Sequence, residues 1–484
     1  MLSPAARAFI ATTATLCTEV QPLAGLEAAE RWGPPAGTIA GMTDSGAAAE
    51  ELDCIVVGGG LAGLACAHGL AVAGRRVRVL EAEEAPGGRA RTVWHRGRPV
   101  DRGFQVLFRA YPRTRALLRA IGLPRRDLRA VSGGAVFIDG DGNPRLGTSK
   151  LSALAFSGLR PADRARLARL ASGVAARSPE ALLAHDDDAP STEALLRAQG
   201  FSDHALEGFF RPLFGVILLD RSLSADPGYF RFLLSMLVRG PSVIPSDGVG
   251  MIAEWTSAAV RQAGGAIDLG VRVAALEPSS DGRRIAAVLT EDGRRLVARH
   301  VVLAVEARAA RGLLEPVDPG AAARLPREAA SSATAAFALR QPLYRGRSIL
   351  LNADPAPVHG PRVDLVCQTT NVTRPGARDG PHIVLATTVT TGGGSADGLI
   401  DAVGATVARW APRFDWAGLA EPIGVYEHAF AQFRPVAGVR RELPGPRTAV
   451  ENLLIAGDVT THPSIEGAVA SGARAGEIVD ALTP

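Results

Sequence analysis

Lysine is almost absent from this chain. Of 53 lysines and arginines in 484 residues, only Lys150 is a lysine. Any chemistry that needs a lysine has one candidate. Cysteine is scarce as well. Cys17, Cys54, Cys66 and Cys367 form no CxxC pair, which excludes a disulfide framework and a thiolate zinc site and fits a reducing, cytoplasmic compartment. The nine histidines are scattered without an HExxH, and no GxSxG occurs. Zincin and serine-hydrolase chemistry lack their motifs, and no metal site is expected. Charge of one sign is not in excess. A net charge of +4 and a pI near 9.1 are mild for this length and argue against nucleic acid as a partner. The stretch Cys54 to Gly74 has no acid, lysine or arginine and is long enough to span a membrane. It also holds Gly58, Gly59, Gly60, Gly63, Gly69 and His68. A strand, a tight turn and a small-residue helix account for it better, so no integral membrane span is expected.

Apolar residues are plentiful. At 47% hydrophobic and 21% charged, the chain can fill a large core in two or three domains. Residues 1–49 are the exception, being Ala/Thr/Gly/Pro-rich and weakly periodic. They lack the basic start and compact apolar core of a secretory signal, and Glu19, Glu27 and Glu30 fit a transit peptide poorly. A disordered leader is expected there, with Met42 an alternative start of translation.

The first chemical signal follows at once. Ile55-Val56-Val57 reads as a buried strand, Gly58-Gly59-Gly60-Leu61-Ala62-Gly63 as a GxGxxG turn, and Leu64 to Ala73 as a helix. That is the context a dinucleotide-binding turn requires. The first glycine allows the turn, the second lets a pyrophosphate approach, and the third lets the helix pack on the strand. The helix N-terminus supplies unpaired N–H groups to phosphate. A second strand, Val77 to Leu80, ends at Glu81, 18 residues after Gly63, where a carboxylate can accept from both ribose hydroxyls.

The run Glu81-Ala82-Glu83-Glu84-Ala85-Pro86-Gly87-Gly88-Arg89-Ala90-Arg91-Thr92 resembles the second motif of the flavoprotein superfamily that contains amine oxidases, protoporphyrinogen oxidases and carotene desaturases. At the other end, Asn452 to Ala456 reads as a strand, followed by Gly457-Asp458, Ser464-Ile465-Glu466-Gly467-Ala468 and a helix to Leu482. This resembles the superfamily's C-terminal motif. The resemblance covers residues 52–484 and is strongest at the two ends. It implies a discontinuous, Rossmann-like α/β FAD-binding domain with a parallel sheet, into which an α+β substrate domain is inserted. The expected division is 50–130, 239–319 and 426–484 for the cofactor and 131–238 and 320–425 for the substrate.

The same resemblance implies roles for single residues. Ala82 would lie beside Glu81 at the ribose, Gly87, Gly88 and Arg89 beside the pyrophosphate and flavin, and Asp458, after Gly457, at the ribityl chain or pyrophosphate. Val273 and Ala304 would offer backbone contacts on the adenine side. The helix starting near Glu466, Gly467 and Ala468 would point its positive end at the flavin and stabilise its reduced anion. Asp101 to Pro112 looks like the segment that carotene desaturases place beside the flavin, so Gly103, Phe104 and Gln105 are site candidates, with Gln105 standing where a histidine is usual. Ile465 and Ser464 occupy the place of an amine-cage aromatic, and no cysteine lies near the C-terminal motif, which implies non-covalent FAD.

These features favour hydride transfer to flavin N5 from an apolar isoprenoid or carotenoid-like substrate, with a quinone or oxygen as electron acceptor. Gly208 to Leu219 would line an apolar tunnel, form plain core, or make a peripheral membrane contact. The alternatives are an amine or protoporphyrinogen oxidase and, from another class, a non-catalytic protein like the prenyl-protein escort factors. The latter would not need both phosphate glycines and Asp458.

Overall fold

Cys54, Ile55, Val56 and Val57 are buried on both faces, the setting of a central strand in a parallel sheet. The computed structural model describes residues 52–147, 159–184, 189–355, 361–376, 380–390 and 398–484. The expected leader, Lys150 and the acidic run 186–188 lie outside the described residues. Ten elements carry the argument: β1 (Leu52–Val57), α1 (Leu61–Val72), β2 (Val77–Leu80), α2 (Pro112–Ala120), α3 (Gly250–Gln262), β3 (Ala266–Asp268), β4 (Ala298–Leu303), β5 (Ala420–Phe433), β6 (Leu453–Ile455) and α4 (Ile465–Leu482).

Five of the strands form one parallel sheet in the order β3-β2-β1-β4-β6. The chain winds from β1 through β2 to β3 on one side, then starts again at β4 on the other. Beyond the carboxyl ends of β1 and β4 lies the topological switch point, where sheets of this kind bind ligands. α1 starts at Leu61, earlier than the expected Leu64, because Gly60 takes the extended N-cap conformation and Leu61 to Gly63 are already helical. One face of the sheet is covered by α1, α3 and α4 through Ala62, Cys66, Leu70, Val260, Ala475 and Val479.

A second sheet has seven strands in the order Ala420–Phe433, Ala329–Leu339, His382–Thr390, Leu365–Gln368, Ser348–Asn352, Gly134–Ile138 and Pro144–Gly147. Its pairings are antiparallel except that Gly134–Ile138 runs parallel to Ser348–Asn352. On one face Ala333, Ala335, Phe337, Val384 and Ala386 pack under Leu399, Val403 and Val407 of the helix Leu399–Trp410. On the other, Ala336, Ala338, Ile383 and Leu385 meet Val100 and Phe104. The alternation of the strands thus gives this sheet two apolar faces.

Several local expectations change. Apolar spacing near 3.6 predicts that residues 131–238 are mainly helical, and the structure differs. Their first part supplies two strands to the seven-stranded sheet, and Pro161 opens the first helix among the described residues of this stretch. Apolar spacing near 3.6 predicts a helix over Ser202 to Phe210; the structure has one α-turn, Asp203–Ala205, followed by a π-turn over Leu206–Phe210. The runs Val271–Val273 and Leu296–Val305 read as strands in the sequence; in the structure the first begins only at Val273 and the second divides at Val297. The apolar run Gly208 to Leu219 is largely core: Phe209, Phe210, Phe214 and Leu218 are buried, with Phe210 against Phe201, Phe209, Phe214 and Phe230 at ring separations of 4.9–6.2 Å. No helix of the described residues is long and apolar enough to cross a membrane.

Candidate active site

The loops at the carboxyl ends of the parallel strands converge. Gly58 follows β1 with φ +106°, a conformation that disfavours any side chain, and a Cβ there would come within 2.7 Å of the Ala304 carbonyl oxygen. Ala304 follows β4 and donates its N–H to Val57 O at 2.8 Å. A Cβ on Gly63 would sit 1.9 Å from Gly58 O, so α1 can lie this close to β1 only with glycine there. A Cβ on Gly60 would meet nothing within 4 Å, which leaves the room a pyrophosphate needs. The first intrahelical bond of α1 runs from Leu64 N–H to Gly60 O, so the N–H groups of Leu61, Ala62 and Gly63 precede it and face the turn.

Glu81 is buried at the end of β2. Its Oε2 accepts from Gly59 N–H at 2.5 Å and its Oε1 from Glu83 N–H at 2.9 Å. Each oxygen keeps a lone pair for a further donor. Ala82 continues this turn. The neighbouring chain is residues 268–271, where Val271 N–H donates to Glu81 O. Val273 lies two residues further on, paired with Thr290.

Gly87 N–H donates to Gly59 O at 2.9 Å, which brings Gly87 and Gly88 against the first turn. Arg89 then spans the site, with Nη2 2.8 Å from Asp458 Oδ1 and Nη1 2.9 Å from Ala431 O on β5. Gln105 donates Nε2–H to Arg89 O at 3.0 Å, placing Gly103 and Phe104 beside the same loop. Asp458 is buried, and Gly457 N–H before it donates to Ser471 Oγ of α4. The structure therefore joins residues from both ends of the chain. Glu466 is the exception in kind. Its carboxylate accepts from Arg113 N–H, Thr114 N–H and Thr114 Oγ–H at 2.7–2.9 Å, so it caps α2. At the head of α4 the cap is Ser464, which accepts from Gly467 N–H, while Ala468 is already in the helical ladder.

Spacing alone did not reveal the aromatic wall beside this helix end. Tyr111 stacks on Phe232 at 6.1 Å, and the His462 ring lies 4.8 Å from Phe232 and 5.6 Å from Tyr229. Tyr229 Oη donates to Pro463 O, and His462 Nδ1 is 3.0 Å from Ser464 Oγ. Burial, reinforced by Arg440 and opposed by Asp458, pushes the His462 imidazole down to about 4. It is neutral at physiological pH and engaged with the cap. Tyr111 belongs to the segment read as flavin-adjacent, which was a signal; Tyr229 and Phe232 showed only helical spacing.

A second buried acid supports the site from below. Asp101 Oδ1 accepts from Thr92 Oγ–H at 2.5 Å and from Val249 N–H at 2.9 Å, and Thr92 Oγ accepts from Gly250 N–H. Together they cap α3. Burial raises the Asp101 carboxyl from 3.8 to about 6 against these bonds. A carboxyl raised in the folded state stabilises least when ionised. Its contribution is greatest below pH 4, falls as pH rises through 6, and is flat above, a span of roughly 3 kcal/mol. Asp101→Asn keeps the Oδ1 acceptor and removes the ionisation. We expect it to exceed the native protein in stability at pH 8 and to show no gain at pH 4, as read by denaturant unfolding at both.

The sequence profile of the flavin-containing amine oxidoreductases matches residues 61–479. The chain belongs to that family and is a flavin-dependent oxidoreductase. Its fold resembles an oxidoreductase from Methanosarcina mazei, at TM-score 0.68 and 18% identity over 88% of this chain and 99% of that one. It also resembles putrescine oxidase bound to putrescine, at TM-score 0.64 and 22% identity over 89% and 99%. Cyclohexylamine oxidase from Brevibacterium oxydans gives TM-score 0.61 and 19% identity over the same shares. Among curated proteins, hydroxyneurosporene desaturase of Rhodobacter capsulatus is 54% identical over 57 residues, 12% of each chain. Phytoene dehydrogenase of Streptomyces griseus is 55% identical over 53 residues, 11% of this chain and 10% of that one. The match spans about a tenth of the length of these curated relatives.

Proposed function

We propose that the chain is an FAD-dependent desaturase of an apolar, isoprenoid-like substrate. The observation that carries this reading is the place of Phe104. It sits next to Gln105 at the Arg89 loop and packs at once on Ala336, Ala338, Ile383 and Leu385 of the seven-stranded sheet and on Val131, Ile244 and Val372 beside it. An apolar surface thus reaches the loop that would border the flavin. Tyr111, Tyr229 and Phe232 are buried in a further cluster on which Phe104 packs and form the core behind this surface.

Bound FAD would accept a hydride from a substrate C–H bond. The residues present fit that group. The space at Gly60 and the N–H groups of Leu61 to Gly63 would receive the pyrophosphate, and Glu81 the ribose. Arg89 and Asp458 fix each other and the two loops, and the α4 end provides a positive field. The apolar lining excludes water and orients the chain, which is what hydride transfer asks of the protein. Non-covalent attachment is consistent with the three described cysteines: all are buried, and burial pushes the Cys66 and Cys367 thiols up to about 12, far from a reactive thiolate. In this reading 50–130, 239–319 and 426–484 serve the cofactor, 131–238 and 320–425 serve the substrate, and a quinone or oxygen takes the electrons.

Anaerobic mixing of the purified holoprotein with acyclic carotenoids, porphyrinogens and polyamines tests this. Bleaching of the flavin by carotenoids alone is expected. Bleaching by a polyamine or a porphyrinogen instead would transfer the chain to an oxidase reading.

A further inference from the structure

Gln105 stands where related desaturases have a histidine, yet a histidine does reach this segment from the opposite side. His428 projects from β5, and its Nε2 lies 3.0 Å from Arg102 O. A carbonyl only accepts, so Nε2 carries the hydrogen of this bond. A Cβ on Gly103 would come within 3.2 Å of Nε2 and 3.4 Å of Cδ2. The imidazole therefore rests on the Gly103 backbone, and the glycine makes room for it. Two residues earlier on the same strand, the Tyr426 ring has the Arg102 guanidinium 5.9 Å from its centroid. Three residues later, Ala431 O receives Arg89 Nη1. One strand of the seven-stranded sheet thus holds both loops, 102–105 and 89, and Gln105 ties these to each other through Arg89 O.

We propose that His428 is a positioning residue that fixes the Arg102–Gln105 backbone against the flavin. The proposal rests on the FAD reading above. It gives a role to β5 that no motif in the sequence carries: the strand sets where the flavin-adjacent segment lies, and Gly103 and His428 act as a matched pair.

The test titrates FAD into flavin-stripped protein and records the visible spectrum of the bound state. His428→Leu removes the donor. We expect FAD affinity to fall about tenfold and the fine structure of the visible band to be lost, in protein whose far-UV circular dichroism is native. His428→Gln places an amide N–H near the Nε2 position and should restore affinity to within about threefold. Gly103→Ala should weaken binding in the native background and have little further effect in His428→Leu, because the methyl group no longer meets the ring. If His428→Leu folds and binds FAD with native affinity and spectrum, the proposal is overturned. If His428→Leu does not fold, native FAD binding by Gly103→Ala overturns it just as directly. Failure of the native protein to bind FAD is a different result and defeats the FAD reading itself.

Discussion

Gly63→Ala is expected to force α1 away from β1 and to leave the purified protein without flavin. The added methyl would stand 1.9 Å from Gly58 O, and its next neighbours are the Gly58 carbonyl carbon at 3.1 Å and the Ala304 Cβ at 3.2 Å. The nearest atom is backbone and cannot rotate away. Two effects oppose each other. Alanine is a better helix former than glycine by about 1 kcal/mol, which favours the variant at this helical position. Overpacking in a close-packed core costs about 1–3 kcal/mol and more where backbone must move. The second effect wins here, because relief requires α1 to withdraw from β1, which lies between β2 and β4. We expect a loss of stability of about 3 kcal/mol and purification without flavin. Flavin content and the urea midpoint are the measurements. Native values for both would mean that α1 lies farther from the strand than the structure has it.

Asp364→Ala is expected to loosen the opposite side of the molecule by a similar or larger amount. Asp364 is 1% exposed. Its Oδ1 receives Arg221 Nη1 at 3.0 Å and Arg362 Nε at 3.1 Å, and its Oδ2 receives Val389 N–H at 2.9 Å. Arg221 lies in the turn between two helices, and Asp364 and Val389 lie at strands of the seven-stranded sheet, so one carboxylate pins layer to layer. Removing it leaves two guanidiniums crowded without their shared counter-ion. Breaking a buried pair from one side costs about 3–5 kcal/mol. Replacing all three charges by apolar residues of similar size, Asp364→Leu with Arg221→Met and Arg362→Met, should recover much of that loss. Equal destabilisation by the single and triple variants would contradict this account.

How far the sequence reveals the site depends on how near the partners are along the chain. The strand, glycine turn and helix from Ile55 to Val72, the strand Val77–Leu80, and the run from Leu453 into α4 are contiguous. Periodicity and turn chemistry suffice to find such elements. The parallel sheet follows from them, since strands that alternate with helices pair in parallel. The side-chain partners are another matter. Asp101 caps a helix at Val249, Glu466 caps one at Thr114, and His428 reaches Arg102 across 326 positions. No local spacing encodes such pairs. Glu466 shows this most clearly. Its place in a motif marks the start of α4, and nothing local tells that its carboxylate caps a helix 352 positions away. The turn after the helix Arg211–Leu218 was equally hidden. Leu219 and Leu223 adopt φ of +50° and +57°, unusual for leucine, and the turn is held by Asp220 through Ser222 and Ser224.

The parallel sheet has a further consequence during synthesis. β1 and α1 leave the ribosome early, but β6, Asp458 and α4 are made some 400 positions later. Until then Arg89 lacks the carboxylate it hydrogen-bonds, α1 lacks the neighbour that covers Ala62 and Cys66, and the edge of β4 stands open. A nascent chain therefore cannot bring these elements together. Ribosome-bound chains stalled just before β6 should depend on a holding chaperone, and release of β6 and α4 should be the event that lets β1 and α1 close.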